Sequence, residues 1–439
     1  MTTTFWSARQ AIATFLLAMA TSIAMLGSCK KNNEGNNAAG KHSAEVLDKW
    51  MAMQLRLMRN ATGIPNQAFS RHYVYAGITA LEALAPGLPG KSLWPGNWNG
   101  LTGLPQKGHS KDYYYPANVN AALASINKAF FIGANSADKA AIDSLENALY
   151  QQYLTSQDQG KLTVSANYGK AVATAVFNWA ETDGYKNAGN PYTAPTGAGL
   201  WVPTPPALAP PSTPYWGNNR SVIAGSTDIA APAAPPSYST DPASAFYKIV
   251  KQVYDVSQTL TDEQKAMAMF WRDVPGQTSP GHWVSIVQQV VRQKASALDV
   301  AALAYALSGA AVHDGLISCW QAKYRHNLVR PITYIRDVMN YPAWTSHLTT
   351  PPHPEYTSAH AVLSVGAAGI MQNLFGNIGP FTDHTYDYLG FAPRTYSSFE
   401  AIGLEASQSR LYGGIHYQFS IDAGIAQGKE ISKNILSRR

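Results

Sequence analysis

The sequence predicts an all-α protein on three observations. Apolar residues recur at three- and four-residue steps through most of the chain, alternating strand-like stretches are few, and the one long interruption is rich in proline. From His42 the first stripe runs through Val46, Trp50, Met53, Leu55 and Leu57-Met58. Further helical stripes are predicted at roughly 66–87, 117–131, 136–155, 163–181, 243–259, 281–318, 357–375 and 398–411. Between Pro191 and Pro242 lie 12 of the 27 prolines, and proline removes a backbone donor and excludes a helix interior. A linker fits that composition, yet Trp201, Tyr215 and Trp216 demand burial, which predicts a long surface segment wrapped over the helical body.

Residues 1–28 read as an export signal. Arg9 is followed by an uncharged run from Ala11 to Gly27, too short for a stable membrane anchor after processing. Leu26-Gly27-Ser28-Cys29 has the form of a bacterial lipidation site in which Cys29 is acylated as the first mature residue; the alternative is an ordinary signal cut near Ser28. Residues 29–41 then read as a polar tether and 42–439 as one helical domain. The protein is expected to be exported, periplasmic or at the cell surface, with no membrane contact beyond the lipid. With Cys29 acylated, Cys319 is the sole thiol, no internal disulfide forms, and stability must come from the core.

Of the 439 residues 46% are hydrophobic, enough to fill a sizeable core and too many for a disordered chain. Charged residues make up 14%, against roughly 25% in ordinary soluble proteins. The mean hydropathy of −0.18 and the lack of repeated long apolar runs nevertheless exclude a multi-span membrane protein. The net charge of +6 contains no run of Lys or Arg, so no nucleic-acid partner is expected.

The chemistry concentrates towards the C-terminus, since eight of the 11 histidines lie between His282 and His416. In Lys323-Tyr-Arg-His-Asn-Leu-Val-Arg330-Pro331 the two cations stand seven residues apart, so in a helix they share a face, while Pro331 disfavours the α region at Arg330. In Pro351-Pro352-His353-Pro354-Glu355-Tyr356-Thr357-Ser358-Ala359-His360 the prolines stop one element, Thr or Ser caps, and an apolar helix starts. Free N–H groups at that start favour an anion, and the Ser358 hydroxyl adds a donor. His360 lies in the first turn, at the positive end of the helix dipole, where a structural histidine gains little. In Ser409-Arg410-Leu-Tyr-Gly413-Gly414-Ile415-His416 the glycine pair turns the chain and brings His416 beside Arg410. Each segment alone is compatible with a structural role. Together, three cations, a helix start, a hydroxyl and two imidazoles describe a pocket within 320–422 for a tetrahedral or trigonal-bipyramidal oxyanion.

Lys323-x6-Arg330-Pro331, Thr357-Ser358-Ala359-His360 and Ser409-Arg410-x5-His416, in that order, resemble the three-part signature of the vanadium-dependent haloperoxidases and the related type 2 phosphatidic acid phosphatases. Phe270-Trp271-Arg-Asp-Val-Pro-Gly276 with Pro280-Gly281-His282-Trp283, and Trp201-Val-Pro-Thr-Pro-Pro206, resemble the haloperoxidase branch in particular. The resemblance covers most of 42–439 and implies a fold built around two four-helix bundles. It also implies vanadate as cofactor, in a site that phosphate can occupy, with His416 coordinating vanadium at an apical position. Lys323, Arg330 and Arg410 would neutralise the equatorial oxygens, Ser358 and the Ala359 N–H would donate to them, and His360 would be the acid/base group. The implied reaction is oxidation of halide by hydrogen peroxide to hypohalous acid without redox change at vanadium, with small organic molecules as acceptors. Dimeric relatives make a homo-oligomer a further expectation.

Two positions depart from the family pattern. Ala359 stands where the family has Gly, which keeps the N–H but restricts close approach. The family's Asp, four residues beyond the vanadium His, is here Ser420, which leaves the partner of the second His416 nitrogen open between Asp422 and a backbone carbonyl. Asp314 is a candidate partner for one of the cations. His353 occupies a position that is His in the algal bromoperoxidase type and Phe in the chloroperoxidase type, which points to bromide or iodide; Trp320 and Tyr324 are candidates for the pocket entrance. Two alternatives follow from the same residues. One is an exported acid phosphatase with His416 as nucleophile and His360 as general acid, the other a non-enzymatic lipoprotein that binds oxyanions.

Overall fold

The computed structural model describes residues 37–89 and 98–438, so the export signal and most of the tether lie outside the described residues. The N-terminal group of helices is α1 (Glu45–Asn60), α2 (Ala68–Ala83), α3 (Tyr115–Phe130), α4 (Ser136–Leu154) and α5 (Gln159–Ala180). After the proline-rich segment and the single-turn α6 (Ser226–Ile229) come α7 (Ala245–Gln258), α8 (Asp262–Phe270) and α9 (Ser279–Gln293). The C-terminal group is α10 (Leu298–His326), α11 (Pro331–Asp337), α12 (Ala359–Phe375), α13 (Phe399–Tyr412) and α14 (Gln418–Leu436). A short antiparallel hairpin, β1 (Phe381–Asp383) with β2 (Arg394–Tyr396), joins α12 to α13.

Local chemistry sets most of these boundaries. Asn135, Asp158 and Ser244 cap α4, α5 and α7 with side-chain oxygens, and Thr261 with Gln264 forms a capping box on α8. α10 is apolar enough over its length to cross a membrane by composition, but the relevant window is 94% buried inside the protein, which makes it a core helix. It packs on α2 in the N-terminal group and on α12 in the C-terminal one, so a single buried cluster runs from Ala39 to Ile435. Glycine permits that closeness: a Cβ on Gly77 of α2 would stand 2.8 Å from the Ala306 backbone of α10.

The stripe predicted as one helix over 281–318 is two helices, because Ala295 turns left-handed at φ 45° and ends α9. α14 escaped the periodicity because several of its buried positions are small or polar, Ser420, Gly424, Gln427 and Gly428 among them. A Cβ on Gly424 would stand 2.8 Å from Ser358 O, so the small residues let α14 lie against the start of α12.

The proline-rich segment is wrapped on the helices as its aromatic residues predict. Trp201 and Trp216 are 1% and 0% exposed, and Trp201 N donates to Asn327 O. Asp314 is the anchor of the segment's far end: it accepts from Val222 N at 2.8 Å, Ile223 N at 3.1 Å and Ser226 Oγ at 2.6 Å. It therefore bonds this segment and not one of the cations, contrary to the expectation from sequence. Asp314→Ala leaves three buried donors without an acceptor and is expected to cost about 3 kcal/mol of stability, measurable as a lower urea midpoint at unchanged slope.

Candidate active site

The three signature segments meet at one end of the C-terminal helices. α10 ends where Asn327 adopts a left-handed conformation at φ 45°, and Arg330 is extended ahead of Pro331. Lys323 and Arg330 therefore do not share a helix face; they converge from a helix end and a turn, as Pro331 dictates. Lys323 Nζ donates to Pro354 O and Glu355 O at 3.0 Å and to Thr357 O at 2.6 Å. Arg330 donates to His353 O at 2.9 Å and Ile415 O at 2.8 Å, and its nitrogens also face His353 Nδ1 at 2.9 Å and His416 Nε2 at 3.3 Å. Both cations are fully buried.

Gly414, at φ 71°, makes the turn that delivers His416. The partner of its second nitrogen is Glu355: His416 Nδ1 lies 2.7 Å from Glu355 Oε1, which also accepts from Tyr417 N at 3.0 Å. Asp422 instead accepts from Gln418 on the exposed side of α14, and Ser420 supplies a carbonyl to Ser358 N. Glu355 was visible in the second segment but carried no signal there, since its function depends on a contact across 61 residues. With Nδ1 donating to a carboxylate, the His416 proton belongs on Nδ1 and the Nε2 lone pair faces Arg330.

Ser358 begins α12 without capping it: its hydroxyl is buried and makes no hydrogen bond. His360 Nε2 stands 2.8 Å from both Trp271 O and Ser279 Oγ and 3.8 Å from Asp273. Arg410 donates to Trp271 O at 2.8 Å, Ala268 O at 3.3 Å and Ser409 Oγ at 3.0 Å. One carbonyl, Trp271 O, thus fixes both His360 and Arg410. Trp271 itself is held by a 4.2 Å stack on His282 and by donation to Glu405 Oε1 at 3.0 Å, and His282 pairs with Asp383 at 2.6 Å. Trp271, Asp273 and Ser279 were not assigned from sequence, although the stretch carrying them resembles the haloperoxidase branch.

Trp320, His353, Ala359, His360, Arg410 and His416 line one cavity of about 570 Å³, with Asp273 and Ser279 beside them. Lys323, Arg330, Ser358 and Tyr324 are not part of this lining, and Tyr324 donates to the carbonyl of Ser212, which is. Burial pushes Lys323 down to about 8 and Arg330 and Arg410 down to about 10, since protein carbonyls only partly replace water. Burial, reinforced by the neighbouring cations, holds His353, His360 and His416 well below the ordinary imidazole value. Glu355, the one fully buried carboxylate of the group, is raised by burial to about 7. At this site three buried cations face one fully buried carboxylate, and the donors around the cavity suit an anion with several oxygens.

Fold and site together define an all-α protein built around a buried, cation-rich pocket. The family described as the VCPO second helical-bundle domain matches residues 303–438. The structure of a bacterial vanadium-dependent iodoperoxidase is similar, with 32% identity and a TM-score of 0.81 over 91% of this chain and 97% of that one. A holo-type bacterial vanadium-dependent chloroperoxidase shares the fold at 17% identity and a TM-score of 0.64, over 87% and 94% of the two chains. No curated protein matches. The chain belongs to the vanadium-dependent haloperoxidase family.

Nitrogen-15 spectra of labelled histidine test the electrostatics directly. At pH 8, where Glu355 is ionised, His416 is expected to be a neutral Nδ1–H tautomer. Glu355→Gln should mix the two tautomers, and Asp422→Ala should leave the signal unchanged.

Proposed function

We propose that the protein is a vanadate-dependent haloperoxidase that oxidises iodide or bromide with hydrogen peroxide to hypohalous acid. The observation that carries this reading is the local excess of buried positive charge around an unpartnered Ser358 hydroxyl and a His416 Nε2 lone pair that meets only Arg330, at 3.3 Å. An oxyanion answers each of these features at once, so the residues fit vanadate, and phosphate by the same chemistry. His416 would take the metal through Nε2. Arg330 and Arg410 would face its oxygens, with Ser358 Oγ and the Ala359 N–H as neutral donors. Lys323 has all three protons on backbone carbonyls, so its contribution is charge and the fixing of the 354–357 turn that carries Ser358. Bound vanadate supplies the Lewis-acidic centre that activates hydrogen peroxide toward halide.

The chain's own residues then manage protons and halide. His360 is neutral in its buried setting, and donation from Nε2 to Trp271 O leaves Nδ1 with a lone pair to accept a proton from peroxide. His353 is neutral as well: with Nδ1 facing Arg330, its proton sits on Nε2, where it is available to a halide beside Trp320. The likeness to an iodoperoxidase structure and His353 together support the larger halides. Small organic molecules would accept the oxidised halogen. The same reading includes export and lipid anchoring at Cys29, on the strength of the Leu26-Gly27-Ser28-Cys29 run.

Purified protein assayed with peroxide and iodide or bromide should gain activity on addition of orthovanadate. Phosphate-ester hydrolysis in place of halide oxidation would replace this reading with the acid phosphatase. His416→Ala is expected to abolish vanadate retention while His360→Ala spares most of it; equal retention in both contradicts the assigned roles. Glu355→Gln should weaken vanadate about 10–100-fold, as loss of a ligand-orienting partner does elsewhere.

The pH dependence has a definite sign. As pH rises Glu355 gains its charge near 7 and Lys323 loses its proton near 8, so both changes lower anion affinity and the decline spans the two values. Sulfate, whose own charge is constant over this range, reports the combined decline in a calorimetric titration from pH 6 to 9.5.

A further inference from the structure

The cavity has a sulfur in its wall. Met269, in the last turn of α8, lines the same space as His360, Arg410 and His416, and among the described residues it is the only methionine or cysteine that does. Cys319 and Met371 are fully buried elsewhere, and Met58 opens on a different cavity. Arg272 Nη1, from the same wall, faces Met269 Sδ at 3.9 Å. Met269 packs with Leu348 and Ile415 in a small apolar cluster, and Ile415 carries the carbonyl that holds Arg330. Its neighbours in the chain, Ala268 and Trp271, carry the carbonyls that hold Arg410.

We propose that Met269 is a site of turnover-dependent self-oxidation, at which the thioether captures hypohalous acid before it leaves the cavity and becomes methionine sulfoxide. The proposal rests on the haloperoxidase reading, which supplies the oxidant. In the step a sulfur–oxygen bond forms and the halogen–oxygen bond breaks. Sulfur loses two electrons, the halogen gains them and departs as halide, and the proton of the hypohalous acid goes to solvent. Thioethers oxidise readily and the product is polar. Arg272 donates to the new oxygen in place of its weak contact with sulfur. A polar group inside the Leu348–Ile415 cluster loosens the turn between Arg410 and His416, so activity declines with turnover and returns when the sulfoxide is reduced.

The test uses the full chain loaded with vanadate and given peroxide with iodide or bromide. Halide oxidation is followed by absorbance while sulfoxide at each methionine is quantified by peptide mass spectrometry. Met269 sulfoxide is expected to grow with turnover number, about tenfold faster than sulfoxide at the partly buried Met53 and Met267. Peroxide without halide should produce little of it, and methionine sulfoxide reductase should restore the lost activity. In M269L, activity normalised to its own initial rate should decay several-fold more slowly; the mass spectra of the unaltered sequence carry the test if that variant does not fold. Halide oxidation with Met269 modified no faster than Met53 and Met267 overturns the proposal and leaves the haloperoxidase reading standing. Absence of halide oxidation overturns that reading, and reagent hypobromous acid then decides the assignment: preferential oxidation at Met269 supports it, uniform oxidation overturns it.

Discussion

Keeping Lys323, Arg330 and Arg410 charged out of contact with bulk water is the constraint on which the rest of this structure depends. Each buried ion carries an effective penalty of several kcal/mol, and Glu355 alone among fully buried carboxylates stands near them. Backbone carbonyls make up part of the difference: three for Lys323, two for Arg330 and two for Arg410. A carbonyl inside a helix is already committed to the N–H four residues on, so most of these acceptors must come from chain outside regular helix. That requirement accounts for the turn over His353 to Thr357, the break after α8 at Trp271 and the tight turn at Gly414. Prolines and glycines in these places are the sequence form of an electrostatic demand.

Trp271 and Glu355 translate this demand into orientation. Trp271 presents one carbonyl to His360 and to Arg410, so the acid/base candidate and one clamp residue move together. Its indole is gripped on opposite terms, stacked on the His282–Asp383 pair and tied to Glu405, which also takes Arg394 and Tyr396. The little hairpin of β1 and β2 therefore reaches the site through charge pairs and stacking although none of its residues lines the cavity. Glu355 does the equivalent for His416, fixing the ring by one nitrogen so that the other faces Arg330.

The sequence was legible where one residue type answers one local need. Pro331 after Arg330, the glycine pair before His416 and tryptophans within a proline-rich run carried their reading into the fold, whereas the helix face read for Lys323 and Arg330 gave way to a helix end and a turn. It was illegible where a role belongs to a contact. Asp422 lay near His416 in sequence, but the helix starting at Gln418 turns it outward to bond Gln418, whereas Glu355 arrives from a separate turn. Asp314, placed in a helix that leads to Lys323, faces the proline-rich segment. α14 was unread because close helix contact selects small residues and so erases the apolar period.

The same physics favours an anion over a neutral or cationic ligand in this pocket. In a site of low effective dielectric an unbalanced cation interacts more strongly with an incoming anion than it would in water. The three neutral imidazoles add directional groups without adding charge, because the cations that suppress their protonation are already in place. Binding an anion then stabilises the folded chain by about 2.7 kcal/mol at a hundredfold excess over its dissociation constant. Anion affinity and fold stability are two readings of one unbalanced charge. A substitution that restores balance within the protein, by adding a buried carboxylate beside Arg410, would stabilise the ligand-free chain while weakening its hold on the anion.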